Sequence, residues 1–248
     1  MPTLAPTPTK PVWGVFTNNQ LKIIAMISMT LDHIGLILFP QFRIFRILGR
    51  IAFPIFAYMI AEGCRYTKNR TKYLALIAAM GVAFQLIYFF MLGDLYQGIL
   101  ITFSLAIITI YSMEGLLSSS SVVKRLFSLA GLTFVIVFGA VFPVIFADVG
   151  FAIDYDTWGI LLPVMVYFMP SKAWKMGSLF VLLLVRAIHY AVAGISVQWW
   201  TLLAIPFLAL YNGKRGKAKM KYVFYVFYPA HLVIIYGIQM LIAMMGNR

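Results

Sequence analysis

Charged residues are scarce in this sequence, and their scarcity excludes a soluble globular protein. Only 11% of the 248 residues are charged and 62% are hydrophobic, whereas an ordinary soluble domain is about one-quarter charged and about half apolar. A membrane crossing takes about 20 residues. The chain therefore has room for about nine or ten transmembrane helices and for no second folded domain.

Cysteine is almost absent, since Cys64 is the single one. This excludes a disulfide framework and a metal site built from cysteines. The N-terminus lacks the basic start and the apolar run of a signal peptide, and its first fourteen residues contain four prolines. We predict a disordered cytosolic segment over residues 1–19 and one transmembrane domain over residues 20–248.

Acidic residues are also few, with 7 against 20 lysines and arginines, which gives a net charge of +13. The cations lie between apolar runs, as topology determinants do, so the charge requires no nucleic acid partner. With the N-terminus in the cytosol, fifteen of these 20 cations fall on the inner side, whereas Arg43, Arg46 and Arg248 fall outside. We therefore predict a cytosolic N-terminus and an external C-terminus.

Apolar runs bounded by polar residues predict an all-α, polytopic membrane protein with about nine transmembrane helices around a central polar cavity. The sixth and eighth runs are short for the bilayer, so we expect them to be tilted, broken or re-entrant. The nine runs cover residues 20–39, 44–64, 72–92, 97–117, 125–147, 157–169, 173–193, 197–211 and 222–245.

Ionisable side chains within these runs form the candidate site. A charged group in the bilayer core costs about 2.5–3.5 kcal/mol on insertion scales, so it faces a cavity or a partner. Counting depth along each helix, at about 1.5 Å per residue, puts Asp32, His33 and Arg50 at one level in the outer half. Five more polar residues on four other helices have outer or middle depths: Gln85, Ser104, Arg186, His189 and His231.

Histidine exchanges a proton near neutral pH, so histidines beside Asp and Arg indicate a general-base site. Consecutive helical side chains diverge by about 100°, so Asp32 pairs with Arg50 or Arg186 and leaves His33 as the base. A zinc site is not expected, because the three histidines lie at unequal depths without ligand spacing. The alternative is a set of buried ion pairs and hydrogen bonds that only fix how the helices pack against each other. Four groups are candidates to stabilise an oxyanion: Arg50, Arg186, His231 and Tyr228.

Six blocks of the sequence resemble, in order, those of the TraX family: LKIIAMISMTLDHIG (21–35), GRIAFPIFAYMIAEG (49–63), TKNRTKYL (67–74), DYDTWGILLPVMVYF (154–168), LALYNGKRG (208–216) and KYVFYVFYPAHL (221–232). That family is named for a conjugation protein that acetylates the N-terminus of pilin, and it looks related to the wider transmembrane acyltransferases. The resemblance implies a bacterial plasma membrane location, a cytosolic acyl-CoA donor, an acceptor reached from outside and a catalytic role for His33. YQGILITFSL matches only loosely, and acceptors vary in the family.

Coenzyme A carries a pyrophosphate and a 3′-phosphate, which call for cationic and amide donors. The loops TKNRTK and YNGKRG, both predicted to be cytosolic, offer such donors, although positive-inside charge alone would also explain their cations. Arg215, between two glycines, is the strongest single candidate. The candidate donor-binding residues are Lys68, Arg70, Lys72, Asn212, Lys214 and Arg215.

Two other function classes remain open. A transporter of a small polar or anionic solute would also need polar groups at the midplane, and broken helices would suit it, but the sequence has no internal repeat. A non-catalytic scaffold for lipids or partners would explain the aromatic content of 16% and not the buried ionisable groups. We expect an acyltransferase surrounded by membrane lipids that moves an acetyl group from acetyl-CoA to the amine or hydroxyl of a peptide N-terminus, glycan or lipid headgroup.

Overall fold

The computed structural model of the chain describes residues 14–217 and 220–246, so residues 1–13 of the predicted N-terminal segment lie outside it. Throughout these two ranges the regular structure is helical, and extended pairing is limited to isolated bridges between Phe16 and Tyr211 and between Gln97 and Ile153. The predicted all-α, polytopic membrane class is confirmed.

Helices follow each other along the chain with short connections. They are α1 (Asn18–Ile37), α2 (Arg43–Gly49), α3 (Ala52–Tyr66), α4 (Arg70–Leu92), α5 (Ile99–Ser118), α6 (Val122–Ile136), a π-helical turn (Val137–Val141), α7 (Phe142–Ile145), a 3-10 turn (Ala147–Val149), α8 (Asp156–Phe168), α9 (Lys172–Val192), a 3-10 helix (Ser196–Leu203), α10 (Ala204–Ala209) and α11 (Lys221–Gly246).

Seven helical stretches within the described ranges are long and apolar enough to span a membrane. The sixth and eighth predicted runs are present as the shorter apolar helices Asp156–Phe168 and Ser196–Ala209. The spanning candidates are Asn18–Ile37, Arg43–Tyr66, Arg70–Phe90, Ile99–Ser118, Val122–Ile145, Lys172–Val192 and Val226–Met245.

The second predicted helix, residues 44–64, is interrupted between α2 and α3 at Arg50 and Ile51. Pro54 lies in the first turn of α3 and has no N–H to donate to the Arg50 carbonyl four residues earlier, so a continuous helix is disfavoured here. Ser28 of α1 satisfies the freed end of α2, because its hydroxyl lies 2.5 Å from the Leu48 carbonyl oxygen and 3.1 Å from that of Gly49. The break therefore has a partner on α1.

The described residues form two compact units, the first within Ala57–Ser178 and the second joining those of Thr9–Phe56 to those of Leu179–Arg248. In the first unit, α5 packs against α4, α6 and α8. Its apolar core includes Leu105 and Ala106 of α5, Val135 of α6 and Ile160 of α8. Small residues bring α5 and α6 close together, since Gly115 faces Ser128 and Gly131 faces Ser112.

In the second unit, α1 packs against α2 and α11. Thr17 and Gln20 form a capping box at the start of α1. The backbone N–H groups of Asn18 and Asn19 also donate to the carbonyls of Lys214 and Arg215, at 2.8 and 3.2 Å. The loop before α11 therefore satisfies the first turn of α1, whose N–H groups have no partner within the helix.

Candidate active site

Asp32 of α1 lies at the centre of a buried charged cluster in the second unit. Its carboxylate accepts from Arg50 Nε at 3.1 Å and also from Arg50 Nη2, which completes a two-point contact. Arg46 Nη1 donates to the same carboxylate at 2.6 Å. Of the two partners considered from the sequence, Arg50 and Arg186, the structure thus gives Asp32 an ion pair with Arg50.

Arg46 is a site residue that sequence analysis missed, because we treated it as an outer topology signal. Its spacing of four residues from Arg50 was the available signal, since residues i and i+4 share a helix face. The pair of guanidiniums fixes Asp32 on the side of α1 that faces α2. Asp32 is therefore a structural anchor for the site.

The next residue on α1, His33, meets His231 of α11. His33 Nδ1 lies 3.3 Å from His231 Nε2, and the ring centroids are 5.0 Å apart with the planes inclined at 66°. The depths counted from the sequence differ for these two histidines, so the counting did not predict their contact. Counting residues along a helix gives the depth only for a helix that crosses without tilt, whereas transmembrane helices tilt by about 20° on average.

Backbone contacts define which ring nitrogens carry protons. His33 Nδ1 lies 2.9 Å from the Met29 carbonyl oxygen, and His231 Nδ1 lies 3.0 Å from that of Phe227. A carbonyl oxygen only accepts, so each neutral ring carries its proton on Nδ1. The Nε2 atom of His33 then has a free lone pair, which is what a general base requires.

Tyr228, predicted to stabilise an oxyanion, lies on the same helix as His231. Its ring centroid is 5.9 Å from that of the imidazole. The Phe227 ring stacks on the His231 ring, with the centroids 4.8 Å apart and the planes inclined at 5°. The side chain of His231 is 5% exposed, so these rings and the helix backbone hold it in one orientation.

Arg186 and His189, predicted to bind substrate, are on α9 in the second unit. Arg186 is buried, donates from Nη1 to Gln198 Oε1 at 2.8 Å and lies over the rings of Phe53 and Tyr190. His189 contacts the Tyr190 ring edge-on at 5.3 Å. Gln198 was not singled out from the sequence, although an amide in an apolar run is an equally visible signal.

Gln85 and Ser104, also predicted to bind substrate, belong to the first unit, whereas the histidine pair belongs to the second. Gln85 bridges backbone groups of the loop after α4, accepting from Gly98 N and donating to the Asp94 carbonyl, both at 3.4 Å. The Ser104 hydroxyl donates to the Leu100 carbonyl one turn earlier at 2.8 Å. In the structure both side chains satisfy backbone groups of their own unit.

The TKNRTK loop, which carries the first three donor candidates, leads into α4. Asn69 caps this helix by accepting from the Lys72 N–H at 2.8 Å, and the Lys68 and Lys72 side chains are exposed. Arg70 instead forms an ion pair with Glu114 of α5 at 2.6 Å and lies over the Tyr111 ring. Arg70 thus has a partner within the protein, which lowers its availability to a phosphate.

The YNGKRG loop carries the other three candidates and belongs to the second unit. Asn212 Oδ1 accepts from the Lys214 N–H at 2.9 Å, which shapes the turn. Gly213 and Gly216 have positive φ angles of 73° and 93°, a conformation that glycine adopts without strain. The Lys214 and Arg215 side chains are exposed while their carbonyls hold α1.

Lys22 of α1 lies beside this loop and was treated from the sequence only as a topology signal. Its Nζ lies 4.9 Å from the centroid of the Phe224 ring at the start of α11. Within residues 14–217 and 220–246, Lys22 has no carboxylate partner. Lys22 and the exposed cations of this loop are suited to bind a phosphate.

The first unit holds a second group of buried charges that sequence analysis missed. Glu62 pairs with Lys175 at 2.7 Å, and both are buried. Glu114 accepts from the Tyr167 hydroxyl at 2.6 Å, and Arg65 donates to the Tyr167 carbonyl at 2.5 Å. The sequence signal for these contacts was the presence of Glu62 and Glu114 within predicted apolar runs. These contacts join the ends of several helices on the side predicted to be cytosolic.

For metals, the part of the chain that the structure describes contains no group of three or more His, Cys, Asp or Glu side chains that could hold an ion. The two histidines in contact carry Nδ1 protons, and the nearest carboxylate in sequence, Asp32, binds Arg46 and Arg50. With Nε2 unprotonated, His33 is suited to accept a proton.

Comparison with known families identifies the chain. The family model described as "TraX protein" matches residues 17–239. The chain belongs to the TraX family. The family match extends over both compact units and includes His33 and His231, and it confirms the resemblance seen in the six sequence blocks.

Two relatives of this TraX family member cover different shares of it. A Dichelobacter nodosus protein described as "Probable fimbrial assembly protein FimC, serogroup H1" is 28% identical over 261 residues, covering 91% of this chain and 96% of the relative. An uncharacterized protein of Rickettsia prowazekii (strain Madrid E) is 48% identical over 58 residues, 23% of each chain. No solved structure matches the chain significantly.

Proposed function

We propose that this multi-pass membrane protein is an acyltransferase that moves an acetyl group from acetyl-CoA to an amine or hydroxyl, with His33 as general base. The observation that carries the proposal is the contact between His33 and His231, which leaves His33 Nε2 with a lone pair. Membership of the TraX family supports the acetyl donor. The fimbrial assembly name of the Dichelobacter nodosus relative supports a surface protein as the acceptor.

In the proposed reaction, the acceptor N–H or O–H gives its proton to His33 Nε2 as the acceptor atom attacks the thioester carbonyl. The carbonyl oxygen becomes an oxyanion, and the two arginines held by Asp32 supply positive charge on the same helix pair. Collapse of the tetrahedral intermediate breaks the C–S bond. The thiolate then takes the proton from His33 Nε2, so the base is regenerated.

The donor phosphates are assigned to the YNGKRG loop together with Lys22. Arg215 and Lys214 of the loop are exposed, and Lys22 adds a third cation three residues after Asn19, whose N–H donates to the Arg215 carbonyl. Lys68 and Lys72 are exposed, and their role as donor contacts stays a prediction separate from this loop. The acceptor is proposed to enter from the outer side of a bacterial plasma membrane.

The test uses the full-length protein in lipid nanodiscs with acetyl-CoA carrying a labelled acetyl group. Acceptor probes are a short peptide with a free α-amino group, the same peptide already acetylated, and a glycoside with free hydroxyls. We expect release of free CoA thiol with label on one unblocked probe, and loss of both in His33→Ala. An absence of donor consumption with every probe, together with solute uptake by proteoliposomes, would favour the transporter instead.

A further inference from the structure

We propose that His231 is a positioning residue that fixes the tautomer of His33, an inference that rests on the proposed function. Its Nε2 lone pair accepts from the His33 Nδ1–H at 3.3 Å. The role resembles that of the carboxylate behind the histidine in a hydrolase triad, which orients the ring and stabilises it when protonated. Here an imidazole performs it.

The direction of this hydrogen bond follows from the two helix backbones. His231 Nδ1 donates to the Phe227 carbonyl four residues earlier, so its Nε2 has no proton and can only accept. The proton between the two rings must therefore belong to His33 Nδ1, which it shares with the Met29 carbonyl. Both histidines use the same contact to the carbonyl one turn before them.

Two observations separate this role from that of a second base. The Nε2 of His231 is directed at His33, and its side chain is 5% exposed and stacked on Phe227, so the acceptor has no direct path to it. The alternative carboxylate, Asp32, is held by Arg46 and Arg50. His231 is therefore the group that contacts the rear of the His33 ring.

The proton balance assigns each ring one task. The acceptor proton moves to His33 Nε2 during attack, and it moves on to the departing thiolate sulfur when the C–S bond breaks. While His33 is cationic its Nδ1–H is a charge-assisted donor to His231, and such bonds are stronger than neutral ones. His231 keeps its own Nδ1 proton throughout.

The first test is kinetic and compares His231→Ala with His231→Gln, whose amide oxygen can accept from the His33 Nδ1–H. We expect His231→Ala to lower kcat by about 10- to 100-fold, the range found for partners that orient metal-bound histidines, with the KM for acetyl-CoA unchanged. His231→Gln should recover part of the loss. Gln239→Ala, an exposed change on the same helix, should retain wild-type kcat. Wild-type kcat in His231→Ala would overturn the proposal.

The second test needs no activity and therefore separates this inference from the proposed function. Ring-nitrogen NMR of protein labelled with 15N-histidine, assigned with the His33→Gln variant, should show a protonated Nδ1 and an unprotonated Nε2 for neutral His33. In His231→Gln this tautomer should persist, and in His231→Ala it should give way to a mixture. A His33 proton on Nε2 in the wild-type protein would overturn the proposal even if acetyl transfer is found.

Discussion

At the scale of single residues, the candidate site depends on which nitrogen of each ring carries the proton. The Phe227 carbonyl holds the proton of His231 on Nδ1, whereas the Met29 carbonyl and His231 Nε2 share the Nδ1 proton of His33. The helix backbone and His231 together thus favour the tautomer in which His33 presents a lone pair at Nε2. A histidine in the same place without these carbonyl contacts would exchange its proton between both nitrogens.

We expect His33→Ala to lower acetyl transfer by at least about 100-fold, within the range found for a general base. Acetyl-CoA binding and the melting profile should stay native, because the Asp32 ion pairs do not involve His33. Initial-rate assays with labelled acetyl-CoA and thermal unfolding measure the two properties. Near-normal transfer in the variant would contradict the general-base role.

We expect Arg215→Ala and Lys22→Met each to weaken acetyl-CoA binding, because a charged hydrogen bond to a phosphate contributes about 1.5–3 kcal/mol. Equilibrium binding of acetyl-CoA by isothermal titration calorimetry measures the change. Gln239→Ala serves as the control. Equal affinity in both variants and the wild-type protein would leave these cations as topology signals.

The sequence predicted part of this site for identifiable reasons. Asp32 and Arg50 lie on consecutive antiparallel helices, where residue counts from a shared turn give reliable relative positions. His33 and His231 are 198 residues apart, and their contact depends on how α1 and α11 cross, which residue counting does not describe. Arg46, Glu62 and Glu114 were visible as charges but were overlooked.

At the scale of helices, prolines explain where the predicted runs depart from straight α-helix. Pro54 accounts for the break between α2 and α3. In the fifth run, Pro143 has no N–H to donate to the Gly139 carbonyl, and the Phe142 N–H donates to Val137 five residues earlier. The hydrogen bond that Pro143 cannot make therefore falls at the π-helical turn, where hydrogen bonds span five residues. Apolar runs alone predicted the ends of these helices but not their interruptions.

Gly49, at the end of α2, allows α1 to approach closely. A Cβ atom there would lie 2.7 Å from the Asp32 Cα and nearer still to its side chain. We expect Gly49→Ala to destabilise the protein by about 1–3 kcal/mol through overpacking and to disturb the Asp32 ion pairs. Thermal unfolding in detergent and the transfer assay measure both effects.

Gly177→Ala is the matched control for this glycine. Gly177 lies within α9, and a Cβ atom there meets nothing within 4 Å among the described residues. Replacing a helical glycine by alanine at an unobstructed position stabilises by about 0.5–1 kcal/mol. Equal melting temperatures for the two variants would contradict a close contact between α1 and α2.

At the scale of the whole molecule, the number of crossings determines where the two termini lie. The described ranges contain seven helices long enough to span and two shorter ones. Seven and nine crossings are both odd, so either count puts the termini on opposite sides of the membrane. The excess of lysine and arginine on the inner side then predicts a cytosolic N-terminus.

We expect epitope tags inserted after Pro170 or between Lys214 and Lys221 to be cytosolic and a C-terminal tag to be external. Protease protection in right-side-out and inverted membrane vesicles measures the exposure of each tag. Retained acetyl transfer or a native melting profile identifies insertions that leave the fold intact. A cytosolic C-terminal tag would mean an even number of crossings.

Because the loop before α11 contacts the start of α1, the length of α1 sets the distance between the proposed phosphate site and His33. Asn19, held by the Arg215 carbonyl, and His33 are fourteen residues apart on one helix, a distance of about 21 Å along its axis. If the loop holds the phosphates of coenzyme A, the arm between phosphate and thioester must cover this distance. A truncated donor that carries the acetyl thioester but no phosphates could reach His33, but the loop could not hold it there. We expect such a donor to react slowly and to be insensitive to Arg215→Ala.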